Sequence, residues 1–146
     1  MTWIRTDMRT CEGLEDASFD VVIEKATLDV LFVKDASPWE VSPEAAIDMD
    51  ATLSSIHRVL KPGGLFLSIS FTQPHFRVPF LVRDPRRWSL TVDRIGLHFH
   101  YYVYVMIKGE RLDVDSLSSS LAITELPSQL AALGRGNEDE DDEERK

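Results

Sequence analysis

Four side chains able to carry charge or a proton fall within six residues: Glu24, Lys25, Thr27 and Asp29. They follow Phe19-Asp20-Val21-Val22-Ile23, whose unbroken β-branched stretch reads as a strand buried on both faces. An abrupt change from apolar to charged residues marks the carboxyl end of a parallel strand, where α/β proteins gather ligand chemistry. The plainer alternative makes Glu24 and Lys25 a surface ion pair, with Thr27 and Asp29 capping the next helix. Asp7 and Met8 end a first short strand over residues 2–8, where a polar residue simply closes the strand. His98 and His100 share a face if they lie on a strand, and so offer two metal ligands. No third ligand pattern accompanies them, so a structural or substrate-lining role is expected and no metal is. Cys11 is the only cysteine, which excludes an intrachain disulfide and a cysteine zinc cluster.

The elements that must place these groups follow from pattern. Residues 9–18 read as a polar loop turning at Gly13, and residues 27–33 as the start of a short helix. Residues 36–39 read as a loop. Ser42-Pro43-Glu44 is a helix start, with a capping hydroxyl, proline in the first turn and an acid near the positive dipole end. Ala46, Met49, Leu53, Ile56 and Leu60 follow at spacings of three and four, giving one apolar stripe. Lys61-Pro62-Gly63-Gly64 stops that helix and turns the chain into a second buried strand over residues 65–71. Strand, helix, glycine-rich turn and strand make a βαβ unit with a parallel pair. Residues 72–87 read as a loop or short helix broken by Pro74, Pro79 and Pro85. Residues 88–95 and 99–107 read as an antiparallel hairpin joined near Gly96. Residues 112–126 read as a weak strand or loop.

Length and charge bound the class. The 146 residues suffice for one moderate core, and the formal net charge is -9. Seven acidic residues lie between Glu138 and Glu144, leaving residues 1–136 at -4, with 18 acidic against 14 basic. A mildly acidic body argues against nucleic-acid binding through a basic surface. No apolar run approaches the ~20 residues of a membrane span, and the start carries no signal-peptide core. The expectation is a soluble, cytoplasmic protein without membrane contact. Residues 137–146 are a charge run expected to be disordered.

Arg58-Val59-Leu60-Lys61-Pro62-Gly63-Gly64 before an apolar strand resembles the helix-to-strand-five junction of class I S-adenosylmethionine-dependent methyltransferases. Glu24-Lys25-Ala26-Thr27-Leu28-Asp29 resembles the acidic-Lys-Gly-Thr-x-Asp motif of a eukaryotic group of protein-lysine methyltransferases. Pro74-His75-Phe76-Arg77, Trp88-Ser89-Leu90, and Phe99-His100 through Lys108-Gly109 narrow the likeness to the elongation factor 1-alpha lysine methyltransferase 4 branch. The resemblance covers about residues 3–112. It implies S-adenosyl-L-methionine as cofactor and a protein substrate, elongation factor 1-alpha. Residue by residue, it implies that Asp7 and Met8 hold the adenine, and that Glu24 and Lys25 lie beside the methionine end. It further implies that Glu24, Lys25, Thr27 and Asp29 form the catalytic surround, while His75 and Phe76 line the lysine entrance. For His75 and Phe76 a packed loop remains an equal alternative. Trp39, Trp88, Tyr101, Tyr102 and Tyr104 are read as core and hairpin packing ahead of an aromatic cage.

Two departures from that pattern set further expectations. The family has glycine where this chain has Ala26, which strains the backbone if a positive φ is required. The family's opening strand with its Gly-x-Gly loop, and the acid-terminated second strand, have no counterpart here. The expected fold is therefore α/β: a partial Rossmann-like class I methyltransferase sheet lacking its first two strands, with a C-terminal antiparallel hairpin. Residues 1–126 are expected to form that partial domain and residues 127–146 an acidic tail. In the family strand order 3-2-1-4-5-7-6, the strand at residues 19–24 becomes an exposed edge. Residues 1–10 should then either pair directly with it or stay loose. Such a chain should bind cofactor weakly or not at all. The alternatives are a non-catalytic interaction module and an incomplete gene product, which sequence upstream of Met1 would separate.

Overall fold

The apolar run after Ser18 extends as strand β1 (Phe19–Lys25), and a 3-10 helix (Leu28–Phe32) follows it directly. The computed structural model describes residues 1–35, 37, 40–83 and 88–121. The loop reading of Ala36, Pro38 and Trp39, the break at Pro85 and the acidic tail lie outside those residues. Helix α1 (Pro43–Val59) starts where its sequence signal stands: Ser42 Oγ accepts from the Ala45 amide at 3.2 Å, and Pro43 opens the first turn. Then come strand β2 (Leu60–Ser70), helix α2 (Pro74–Leu81), strands β3 (Thr91–Ile95) and β4 (Tyr101–Ile107), and helix α3 (Val114–Leu121).

The sheet order is β1-β2-β4-β3. β1 and β2 are parallel, with Val21 opposite Leu65 and Glu24 opposite Ser68. β4 runs antiparallel to both β2 and β3. This order agrees with the 4-5-7-6 part of the order implied by the resemblance, and both the βαβ unit and the hairpin form as read. Met49, Leu53 and Ile56 of α1 pack with Phe66, Tyr104 and Met106 of the sheet, joined by Val78, Leu81, Trp88 and Leu117. Ala45 rather than Ala46 completes the buried stripe of α1.

Several expectations change. β1 is not buried on both faces: Phe19, Val21 and Ile23 are 38%, 45% and 63% exposed. Alternate residues of a strand point to opposite faces, and the helices that pack with Phe66 cover only the face of Val22 and Glu24. Among the described residues β1 also has a strand neighbour on one side only. Lys61-Pro62-Gly63-Gly64 does not turn the chain between elements but sits inside β2, where the pairing with β1 slips between Phe19 and Val21. Gly63 takes φ +74 there and donates to the Lys108 carbonyl at 2.9 Å. Residues 114–121, read as weak strand or loop, are helical because Asp113 accepts from the Ser116 amide at 3.0 Å while Leu117 buries itself in the core. His98 and His100 lie in the β3–β4 connection rather than on a strand, so the shared-face argument lapses.

Residues 2–8 are not a strand. Instead residues 7–11 wind into a turn, with the Cys11 amide donating to the Asp7 carbonyl at 2.7 Å, and the segment lies against α1. Ser55 Oγ donates to the Arg9 carbonyl at 2.7 Å. Arg58 donates to the carbonyls of Leu14, Thr10 and Cys11 at 2.9, 3.1 and 3.1 Å. Of the two outcomes foreseen for residues 1–10, pairing with β1 does not occur.

The end of α1 is held from across the sheet. Lys108 Nζ donates to the carbonyls of His57 and Leu60, each at 2.7 Å, supplying a cation to the negative end of the helix dipole. Lys108→Met keeps the stem but removes both bonds. It should lower unfolding free energy by about 1–2 kcal/mol in a urea titration.

Candidate active site

Glu24 and Asp29 anchor a polar network at the carboxyl ends of β1 and β2. Glu24 Oε2 accepts from the amides of Thr27 and Leu28 at 2.8 and 3.2 Å, and Oε1 accepts from Ser68 Oγ. The carboxylate thus caps the 3-10 helix and ties β1 to β2. Thr27 stands at the cap position but makes no side-chain capping bond. Asp29 is no cap either. Its Oδ1 accepts from Ser70 Oγ at 2.7 Å, from Thr72 Oγ1 at 2.9 Å, and from Arg77 Nη2.

Arg77 reaches that carboxylate from α2 with its side chain wholly buried, whereas Asp29 keeps 24% exposure. Burial pulls the guanidinium pKa down, and the Asp29 carboxylate pushes the other way. Arg77 Nε and Nη1 and Asp29 Oδ2 have no hydrogen-bond partner among the described residues. Tyr104 closes the floor by donating to the Thr72 carbonyl at 2.6 Å, and burial holds its phenol well above the ordinary range. Phe32, Phe76, Phe80 and Val41, with Asp29, Asp35 and Arg77, wall a cavity of about 80 Å³.

The other sequence candidates are dispersed around this centre. Exposed Lys25 sets its ammonium 5.0 Å from the centroid of Tyr101, whose ring also meets Phe71 at 4.1 Å. Tyr101 therefore belongs to a rim cluster with Phe71 and Phe99, while Tyr104 and Trp88 are core as read. Phe76 lines the cavity; His75 stacks on it at 3.9 Å and is exposed. No group of three or more metal-ligating side chains occurs among the described residues, and no helix among them is long and apolar enough to cross a membrane.

Asp7 is held elsewhere. Arg9 donates to both its oxygens, Nη2 to Oδ2 at 2.7 Å and Nε to Oδ1 at 3.1 Å, and reaches on to Asp48 of α1 at 3.3 Å. Those bonds draw the Asp7 carboxyl down to about 2. A carboxylate titrated by NMR should show this midpoint, and Arg9→Ala should return it toward 3.9. The folded-state pKa lies below the unfolded value, so the pair's contribution is present above about pH 4 and fades as pH falls toward 2.

Ala26 occupies the left-handed region, with φ +57, while its amide donates to the Ile69 carbonyl at 2.8 Å. The bond fixes the conformation that β1 must adopt to place Glu24 beneath the Thr27 amide. An alanine is strained there. Ala26→Gly should raise unfolding free energy by about 1 kcal/mol, visible as a higher denaturant midpoint.

Sequence reasoning did not single out Ser68, Ser70, Thr72, Arg77 or Asp35. Ser68 and Ser70 did leave a signal: hydroxyls at alternate positions of an otherwise apolar strand line one face. Arg77 stood in the Pro74-His75-Phe76-Arg77 motif, yet only its neighbours were assigned.

Residues 1–68 match a family model described as "Methyltransferase domain". The chain is 36% identical over 132 residues to "EEF1A lysine methyltransferase 4" of Mus musculus, covering 90% of this chain and 51% of that protein. It is 37% identical over 127 residues to the Bos taurus protein of that name, covering 87% and 49%. The chain thus spans about half the length of these curated relatives. In fold, the domain is similar to a structure described as "Conversion of a Disulfide Bond into a Thioacetal Group during Echinomycin Biosynthesis". The TM-score is 0.50 and the identity 15%, covering 90% of this chain and 60% of that one. At this identity the likeness concerns the α/β fold alone.

The cleft beside Asp7 is lined by Arg5, Thr6, Asp7 and Glu12 and offers no apolar plane for a purine. Both Asp7 oxygens are already taken by Arg9. That cleft does not fit the nucleoside half of a cofactor.

Proposed function

We propose that this chain is methyltransferase-domain sequence and serves transfer of a methyl group from S-adenosyl-L-methionine to a protein lysine, with elongation factor 1-alpha as substrate in the cytoplasm. The observation that carries this reading is the Glu24 and Asp29 network, gathered beside an aromatic-walled cavity at the carboxyl rim of the parallel pair. The cofactor would supply an electrophilic methyl group. On the acceptor side, a lysine must arrive aligned and with its amine neutral. Aromatic faces and facing carboxylates bind and orient the incoming ammonium, which must then lose its proton before transfer. Glu24 and Asp29 supply such carboxylates, with Thr27 and Lys25 beside them. His75 and Phe76 stand at the approach.

The roles of Asp7 and Met8 toward adenine, and of Glu24 and Lys25 toward the methionine end, belong to the same proposal. They require Arg9 to release Asp7. The chain by itself should therefore show little or no heat on calorimetric titration with S-adenosyl-L-methionine, and micromolar affinity would refute that expectation. Incubation of the full chain with elongation factor 1-alpha and radiolabelled cofactor tests the reaction itself. The commitment of Asp7 to Arg9 favours a second reading, a non-catalytic module that keeps the substrate side. Capture of elongation factor 1-alpha without label would select it, whereas label on a lysine would exclude it.

A further inference from the structure

We propose that the cavity between the 3-10 helix and α2 receives the alkylammonium side chain of the acceptor lysine, with Asp35 as the carboxylate that faces it. This rests on the lysine reading above and extends it to a defined subsite. Charge selects the occupant. Asp29 and Asp35 contribute two negative charges to the lining and Arg77 one positive, and Arg77 is spent on Asp29. Asp35 Oδ2 accepts from the Ser42 amide at 3.2 Å, yet Asp35 has no cationic partner among the described residues. One monocation therefore neutralises the cavity, whereas a carboxylate would add a third negative charge in a site of low dielectric.

Shape and surface agree with charge. A space of about 80 Å³ between Phe32, Phe76, Phe80 and Val41 suits a slender aliphatic stem. Aromatic faces attract a cation and repel an anion. The wall already shows this preference, since the Arg77 guanidinium lies 5.7 Å from the Phe32 centroid and that of Arg83 lies 4.9 Å from Phe80. The cavity also lies at the carboxyl rim of the parallel pair. Of its lining residues, Asp29 follows β1 by four residues and Thr72 follows β2 by two. Of the buried polar atoms without a partner among the described residues, Asp29 Oδ2 accepts from the ammonium, whereas the Arg77 Nε and Nη1 donors call for a water.

The test uses n-butylammonium as probe and butyrate as its anionic counterpart, with the full chain observed by NMR at constant ionic strength. The expected result is a saturable shift of the Phe32, Phe76 and Phe80 ring signals with n-butylammonium, half complete at roughly millimolar concentration. Butyrate should leave them in place. Asp35→Asn keeps an acceptor for the Ser42 amide and so the fold, and should weaken the probe at least about tenfold, near 1.4 kcal/mol. Absence of saturable ring shifts, equal shifts with butyrate, or an unchanged response in the folded Asp35→Asn protein would each overturn the proposal. No cofactor or methyl transfer enters this measurement. Its failure is therefore distinct from failure of the radiolabel experiment.

Discussion

Arg77→Met lowers the unfolding free energy by about 3 kcal/mol, because it strands the Asp29 carboxylate beside the ends of β1 and β2. Removing one partner of a buried pair usually costs about 3–5 kcal/mol. The lower figure applies here because Asp29 keeps 24% exposure and two hydroxyl donors, Ser70 and Thr72. Asp29→Asn should cost more than Arg77→Met. The amide still accepts from those hydroxyls, but Arg77 has no exposure through which water could solvate its charge. The double variant Arg77→Met with Asp29→Asn should recover most of the loss, since neither charge remains. With a urea slope of about 1–3 kcal/mol per molar, these differences separate the midpoints by roughly a molar or more. A double variant no more stable than Asp29→Asn would show that the network's cost is not electrostatic.

Trp88→Ala carries the second large effect, a loss of about 3–5 kcal/mol by the same titration. Trp88 is 1% exposed and packs its ring against Phe66 and His57. Its indole N–H donates to the Leu81 carbonyl at 2.8 Å, at the end of α2. The backbone of Trp88 bridges Lys108, so one residue joins α1, α2, β2 and the close of β4. Trp88→Phe separates packing from hydrogen bonding. It should keep most of the contact area and lose only the indole bond, costing about 1–3 kcal/mol with the Leu81 carbonyl left unpaired. Because α2 carries Arg77 and Phe76, Trp88→Ala should also move the ring signals that report the cavity.

The chain's local signals were legible where neighbours in sequence are also neighbours in space. Ser42 capping Ala45, the stop at Val59 and the closing of the β3–β4 hairpin are short-range events. So is the rim position of Glu24 and Asp29, since a strand that turns from apolar to charged must end there. The family motifs named the same residues and also anticipated the strained backbone at Ala26.

Tertiary structure decided what depends on distant partners. Whether Val21 and Ile23 are covered is set by which strands and helices surround β1, which no local pattern encodes. Residues 2–8 read as a strand and residues 9–18 as a polar loop, yet Arg58, more than forty residues on, gathers the carbonyls of Thr10, Cys11 and Leu14 against α1. Asp29 can pass for a helix cap until Arg77, 48 residues later, is brought against it. The reason is the same in each case. Burial gives a charge its meaning, and burial is a property of the assembled layers rather than of the spacing along the chain.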